Sequence, residues 1–120
     1  MLVVLCVGLV VGLGLGSTLD TADAAKRPQL KTLWAVVEAD GTVVRSKGVT
    51  DHKKIDSGRY EIDFNRNISE CAYTVTLSMG ASGQTTTQEG FGGPRSTDVI
   101  TGNSAGTANE DMPFHLVVNC

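Results

Sequence analysis

Two histidines and a set of serines are the side chains in this 120-residue chain that could form a hydrolytic site. His52 follows Asp51, and His115 lies in the apolar segment that ends the chain. A Ser-His-Asp site is recognised by the geometry of its three side chains, which a sequence alone does not supply. We therefore predict that the protein is not an enzyme. A small hydrolase that uses His52 or His115 is the least favoured alternative.

Metal binding has equally weak support in the sequence. A structural zinc site needs Cys and His at close spacings, and here the disulfide prediction below uses both Cys71 and Cys120. Asn109, Glu110 and Asp111 place three oxygen-bearing side chains together, but this segment does not have the fixed glycine and the terminal Glu of a calcium-binding loop. We expect no metal and no other cofactor.

Cys71 and Cys120 carry the strongest chemical inference. In residues 71–77 and 114–120, each cysteine shares the alternating face that holds the large apolar side chains of its segment. Two core-facing cysteines in a small domain predict an internal disulfide wherever the compartment is oxidising. Closing a loop of about 50 residues would contribute roughly 4 kcal/mol. A bridge between two chains is the alternative, and it is disfavoured because both cysteines fall on the core-facing side of their strands.

The first residues indicate export. Residues 2–16 are apolar without interruption, which is shorter than the roughly 20 residues of a membrane-spanning helix. The sequence Ala22-Asp23-Ala24 then matches a signal-peptidase site. We predict a signal peptide over 1–24, cleavage between Ala24 and Ala25, and a secreted protein. No Lys or Arg precedes the apolar run, so an uncleaved N-terminal anchor is the alternative.

The charge balance excludes two classes of partner. From Ala25 onward the chain has ten basic and eleven acidic residues. It therefore lacks the basic face that nucleic acid requires and the polybasic run that holds a protein to anionic lipid. We predict no nucleic-acid partner and no membrane attachment after cleavage. A protein or cell-surface partner remains, and the sequence does not specify an oligomeric state.

Alternation and turn signals predict an all-β domain over 33–120, preceded by a linker over 25–32. In residues 59–64, Tyr60, Ile62 and Phe64 alternate with charged residues, as in a half-buried strand. Asp40-Gly41 is a hairpin signal. We expect a small antiparallel β-sandwich or barrel stapled by one disulfide, with open loops over 90–94 and 102–110. Binding is expected in the loops 80–95 and 102–111, because loops on a rigid β scaffold usually carry recognition.

Four segments of the chain resemble a known domain. They are WAVVEADGT (34–42), SGRYEIDFNRNISECAYTVTLS (57–78), PRS (94–96) and DMPFHLVVNC (111–120). Together they resemble a recurrent small β domain from exported proteins of Gram-positive, high-GC bacteria, which also caps collagen-like or tail-fibre-like chains. The resemblance implies an architecture and no catalytic activity. This chain has no Gly-X-Y stalk.

Two residues of the glycine-rich segment 90–95 are candidate binding residues. Phe91 would either anchor a partner or fold back as an apolar plug, and the rarity of exposed apolar patches favours the plug. Pro94-Arg95 could present a loop to a protease. We therefore predict an exported, non-catalytic structural or interaction module, with a small secreted protease inhibitor as the alternative.

Overall fold

The structure is a computed structural model that describes residues 31–120, and within them the fold is all-β. The prediction of an all-β antiparallel domain is confirmed. The predicted cleavage site at Ala24 and Ala25 lies outside the described residues. The strands are β1 (Thr32–Val37), β2 (Val43–Lys47), β3 (Val49–Asp56), β4 (Arg59–Phe64), β5 (Ala72–Leu77), β6 (Gln84–Glu89), β7 (Ser96–Gly102) and β8 (Phe114–Asn119).

The strands form two packed antiparallel sheets of four. Sheet A has the order β2-β1-β8-β5, and sheet B has the order β3-β4-β7-β6. The predicted hairpin at Asp40-Gly41 joins β1 to β2, and a second hairpin joins β3 to β4. The two sheets make the fold a sandwich, and β1, β8, β4 and β7 are its central strands.

The core lies between the inward faces of the central strands. Tyr60 of sheet B meets Phe114 of sheet A edge to face, with 5.0 Å between the ring centroids. On β4 and β8 the core-facing side chains are the apolar ones that alternate in the sequence, because a strand places successive side chains on opposite sides of its sheet. The buried apolar side chains are Leu33, Ala35, Val37, Tyr60, Ile62, Phe64, Ile68, Val99, Phe114, Leu116 and Val118.

The disulfide between Cys71 and Cys120 is confirmed. It joins the residue before β5 to the residue after β8, two strands that are already paired in sheet A. The Cys120 amide also donates to the carbonyl of Lys31, which precedes β1. The C-terminus of the described chain is therefore attached to both neighbours of β8.

Two strands of sheet B differ from the sequence-based expectation. The segment 80–95, expected to be a binding loop, contains β6, and the central strand β7 was not predicted. The core-facing positions of β7 are Thr97, Val99 and Thr101, and its outer face holds the buried Ser96 and Asp98. Polar residues on both faces leave no apolar alternation to detect.

No helix in residues 31–120 has the length and apolarity needed to cross a bilayer.

Candidate functional site

The Phe91 loop, residues 90–95 between β6 and β7, is held by main-chain hydrogen bonds. The Gly90 amide donates to the Ser96 carbonyl at 2.9 Å, which closes the loop at its base. The Arg95 carbonyl accepts the Phe64 amide, and the Pro94 carbonyl accepts the Ile68 amide, both at 2.8 Å. The loop is therefore fixed to β4 and to the segment after it.

Phe91 projects from this fixed loop into solvent. Its side chain is 80% exposed, so the prediction that it folds back as a plug is wrong. The guanidinium carbon of Arg59 lies 5.9 Å from the ring centroid, within the range of a cation–π contact. Arg95 is also exposed, on the same loop. The fold thus displays an aromatic ring that the core does not use.

A buried carboxylate pair lies on the outer face of sheet B, next to the Phe91 loop. Glu61 of β4 is directly opposite Asp98 of β7, and the next rung toward the loop pairs Asp63 with Ser96. An outer face normally contacts water, yet Glu61, Asp98 and Ser96 are 6%, 1% and 2% exposed. Something must therefore cover this part of the sheet.

The glycines of the Phe91 loop provide part of that cover. A Cβ atom added to Gly90 would collide with the Ser96 hydroxyl, and one added to Gly92 would lie 3.0 Å from Glu61 Oε1. Gly90 therefore needs a residue without a side chain, because the loop backbone lies directly on Ser96. At Gly92 the contact is tight, and a side chain there would displace the Glu61 carboxylate by a few tenths of an ångström. Close approach accounts for Gly90 and favours glycine at position 92, whereas Gly93 has open space around it and a φ of +106°.

Each member of the carboxylate pair has a cationic neighbour. Lys53 Nζ lies 3.4 Å from Glu61 Oε1, and Arg59 Nη2 lies 3.6 Å from Asp98 Oδ2. Neither Asp98 oxygen has a well-formed hydrogen bond in the described structure, although Gln88 of β6 is opposite in register. Burial, followed by the charge of Glu61, raises the pKa of Asp98, and Arg59 opposes this shift.

These contacts connect the exposed ring to the interior. Asp98 is fixed within the central strand β7 and attracts the Arg59 guanidinium, which lies against Phe91. Arg59 is therefore held between a buried anion and an aromatic ring, and this restricts the positions open to both side chains. Sequence reasoning placed Arg59 and Glu61 on a solvent face and overlooked Asp98. The acidic residue in the Thr- and Val-rich segment 96–101 was the only available signal.

The remaining candidate residues are dispersed. His52 is exposed on the edge strand β3 of sheet B, and His115 is exposed on β8 of sheet A, so the two do not come together. Within residues 31–120 no three His, Cys, Asp or Glu side chains are arranged to hold a metal ion.

Asp111 attaches the loop over residues 102–111 to sheet B. It is one of the three residues, 109–111, that were considered above as a possible calcium site. Its carboxylate lies 2.7 Å from Lys54 Nζ and accepts the amide of Gly58, also at 2.7 Å. The Lys54 ammonium, followed by the Gly58 amide, holds the pKa of Asp111 below its usual value. The carboxylate therefore has a structural role in closing the hairpin end of β3 and β4.

Replacing Asp111 by alanine is expected to lower the free energy of unfolding by about 1–2 kcal/mol, because the buried Gly58 amide loses its acceptor. Thermal unfolding at neutral pH measures the loss. Since the folded pKa is depressed, the contribution is present above about pH 4 and disappears as the pH falls through the folded value. Replacing Asp51, an exposed acid on the same edge strand as Lys54, is the control. Equal losses in the two variants would contradict this role.

Comparison with protein-family models, with curated proteins and with solved structures gave no match. The resemblance to the exported bacterial β domain therefore stays a prediction, and the function has to be argued from the geometry of this chain.

Proposed function

We propose that this chain is an exported, non-catalytic interaction module that binds a protein or cell-surface partner through the Phe91 loop. One observation carries the proposal: an 80% exposed phenylalanine stands on a loop whose base and far end are fixed by main-chain hydrogen bonds. The core does not need the ring, and the ring occupies solvent at a hydrophobic cost.

The physical chemistry of interfaces favours such an arrangement. Aromatic and arginine side chains dominate the binding energy of protein interfaces. Binding also loses less entropy when the anchoring residue is already held in place. Phe91 and Arg59 supply both residue types side by side, and Asp98 holds Arg59 from below.

The carboxylate pair supports binding rather than catalysis. Paired carboxylates serve general acid–base chemistry only where a substrate reaches them. Glu61 and Asp98 are almost completely buried, and the backbone of Gly92 lies against Glu61. The two carboxylates are therefore better placed to hold Arg59 and the Phe91 loop in position than to react with a substrate.

The disulfide supports export. A structural Cys–Cys bridge persists in oxidising compartments and is rare in the cytosol of most organisms. The Cys71–Cys120 bond therefore agrees with the apolar leader of the sequence and with a partner that is met outside the cell.

The loop geometry does not favour a protease inhibitor. An inhibitor presents an extended backbone around its scissile bond, whereas here the Arg95 carbonyl is hydrogen-bonded to Phe64. The following residue, Ser96, is 2% exposed. A protease could not approach the Arg95–Ser96 bond without opening the loop.

Photo-crosslinking at position 91 tests the proposal. Phe91 is replaced by benzoylphenylalanine, which keeps an aromatic side chain, and the protein is irradiated on the surface of its host cells. We expect a discrete adduct that excess wild-type protein suppresses and excess Phe91→Ala protein does not. The matched control places the same probe at Met79, which is 90% exposed in the β5–β6 connection.

Two results would argue against the proposal. One is the same adducts from positions 91 and 79, which would mean that the probe captures neighbours indiscriminately. The other is equal competition by the wild-type and Phe91→Ala proteins, which would place the binding surface elsewhere.

A further inference from the structure

The four edge strands of the sandwich are not equally protected against pairing with another strand. Edges usually carry charges or bulges that prevent such pairing. Strand β2 has Arg45 and Lys47, strand β3 has Lys53 and Lys54, and both have an irregular register. Strand β6 pairs regularly with β7 and has one charged residue, Glu89, at its end. The edge of β6 therefore lacks the charges and the irregular register that protect β2 and β3. At its first residue the Gln84 side-chain amide donates to the Ser104 carbonyl at 3.1 Å, so the loop 102–111 lies beside that end of the strand.

The sequence of β6 is symmetric. Residues 84–88 read Gln-Thr-Thr-Thr-Gln in both directions. A two-fold axis through Thr86 would place the strand antiparallel to its own copy with identical residue types opposite each other. We propose that a second copy of this chain pairs with β6, so that two B sheets join into one continuous eight-stranded sheet.

The pleat of the strand fixes the register of this pairing. Residues opposite each other in an antiparallel pair share a face. Gln84, Thr86 and Gln88 are exposed on the outer face, and Thr85 and Thr87 are half-buried on the inner face. Centring on Thr86 therefore sets Thr86 against Thr86, Thr85 against Thr87 and Gln84 against Gln88. Glu89 then faces Gly83, so no like charges meet.

Strand β5 is the competing site for a second copy. It also lacks charged residues and pairs regularly, but its sequence Ala-Tyr-Thr-Val-Thr-Leu is not symmetric. Antiparallel self-pairing there would align unlike side chains at most positions. In β6 the symmetric register places threonine opposite threonine at three positions, and such cross-strand pairs hydrogen-bond to each other. These matched pairs favour β6 over β5 and favour a copy of the same chain as its partner.

The pairing goes beyond the proposed function and has a consequence for it. The Phe91 loop follows β6 directly and lies on the outer face of sheet B. Two-fold pairing would put both loops on one face of the joined sheet, at opposite ends of the paired strands. At about 3.4 Å per residue the two Gly90 residues would be roughly 27 Å apart. The dimer would then present two anchors to a partner and gain avidity.

Two double variants that differ at one residue test the register. Gln84→Glu/Gln88→Lys sets opposite charges against each other across the axis at both positions, whereas Gln84→Lys/Gln88→Lys sets like charges. We expect the first to retain the dimer and the second to raise its dissociation constant roughly tenfold or more. The full chain is expressed, and the mass of the resulting protein in solution is measured by light scattering coupled to size exclusion. Repeating this over a range of concentrations gives the dissociation constant of the dimer.

Three outcomes would overturn the proposal. They are a wild-type monomer at every concentration, equal dissociation constants for the two double variants, and a dimer that dissociates when Thr74 of β5 is changed to lysine. Circular dichroism of each variant checks that the sandwich has folded, so that loss of the dimer is not confused with unfolding.

Discussion

Replacing Cys71 and Cys120 together by alanine is expected to lower the free energy of unfolding by about 4 kcal/mol. The two residues are 49 positions apart, and the bond limits the unfolded chain far more than the folded one, in which β5 and β8 are already paired. Because a folded domain is stable by only about 5–15 kcal/mol, this is a large share of the total. The melting temperature should fall by roughly 20 °C.

Denaturant unfolding of the oxidised, reduced and alanine-substituted proteins checks this expectation. Reduction of the wild-type protein should give the same loss as the double substitution, since both remove the same constraint. Reduction of the alanine variant is the control and should leave its unfolding midpoint unchanged. An unfolding midpoint in the double variant within error of the oxidised wild type would contradict the role of the bond.

Replacing Arg59 by methionine is expected to destabilise the domain by about 3 kcal/mol at pH 7. Methionine keeps most of the aliphatic packing but removes the charge that faces Asp98, whose side chain is 1% exposed. An anion buried without a counter-charge is costly. Thermal or denaturant unfolding of the variant against wild type measures the loss.

The loss should depend on pH in a defined direction. Burial raises the folded pKa of Asp98 above its unfolded value near 3.9, so the folded state binds the proton more tightly. Its contribution to stability therefore decreases as the pH rises through the window between the two values. Removing Arg59 raises the folded pKa further. The deficit of the variant should be small near pH 4 and largest at neutral pH.

The double variant Arg59→Met/Asp98→Asn separates the charge effect from packing. The neutral amide needs no counter-charge, so the double variant should regain most of the lost stability at pH 7. Lys53→Met, which removes the exposed partner of Glu61, is the matched control and should cost much less. A pH-independent deficit in Arg59→Met, or no recovery in the double variant, would contradict the coupling of Arg59 to Asp98.

Much of the fold could be predicted because several strands have one apolar face. The alternation at Tyr60, Ile62 and Phe64 and at Phe114, Leu116 and Val118 predicts both the strands and their core-facing sides. The parity of the cysteines predicts the disulfide in the same way. Strands β6 and β7 could not be found, because threonines face inward and Asp98 is buried on the outer face.

The candidate site was only half predictable. The glycine-rich context of Phe91 marked it as unusual, but whether the ring points inward or outward depends on hydrogen bonds to Phe64 and Ile68 that the local sequence does not encode. The carboxylate pair was hidden for a related reason. Glu61 and Asp98 meet only through the β4–β7 register, and the Phe91 loop, Lys53 and Arg59 lie over them.

The most direct test of the Phe91 loop as a binding surface combines two measurements on Phe91→Ala. Thermal unfolding reports whether the fold needs the ring, and competition in the position-91 crosslinking reports whether the partner needs it. We predict an unchanged melting temperature, because the side chain is 80% exposed, together with a failure to compete. A clear drop in melting temperature, or competition equal to wild type, would contradict the account.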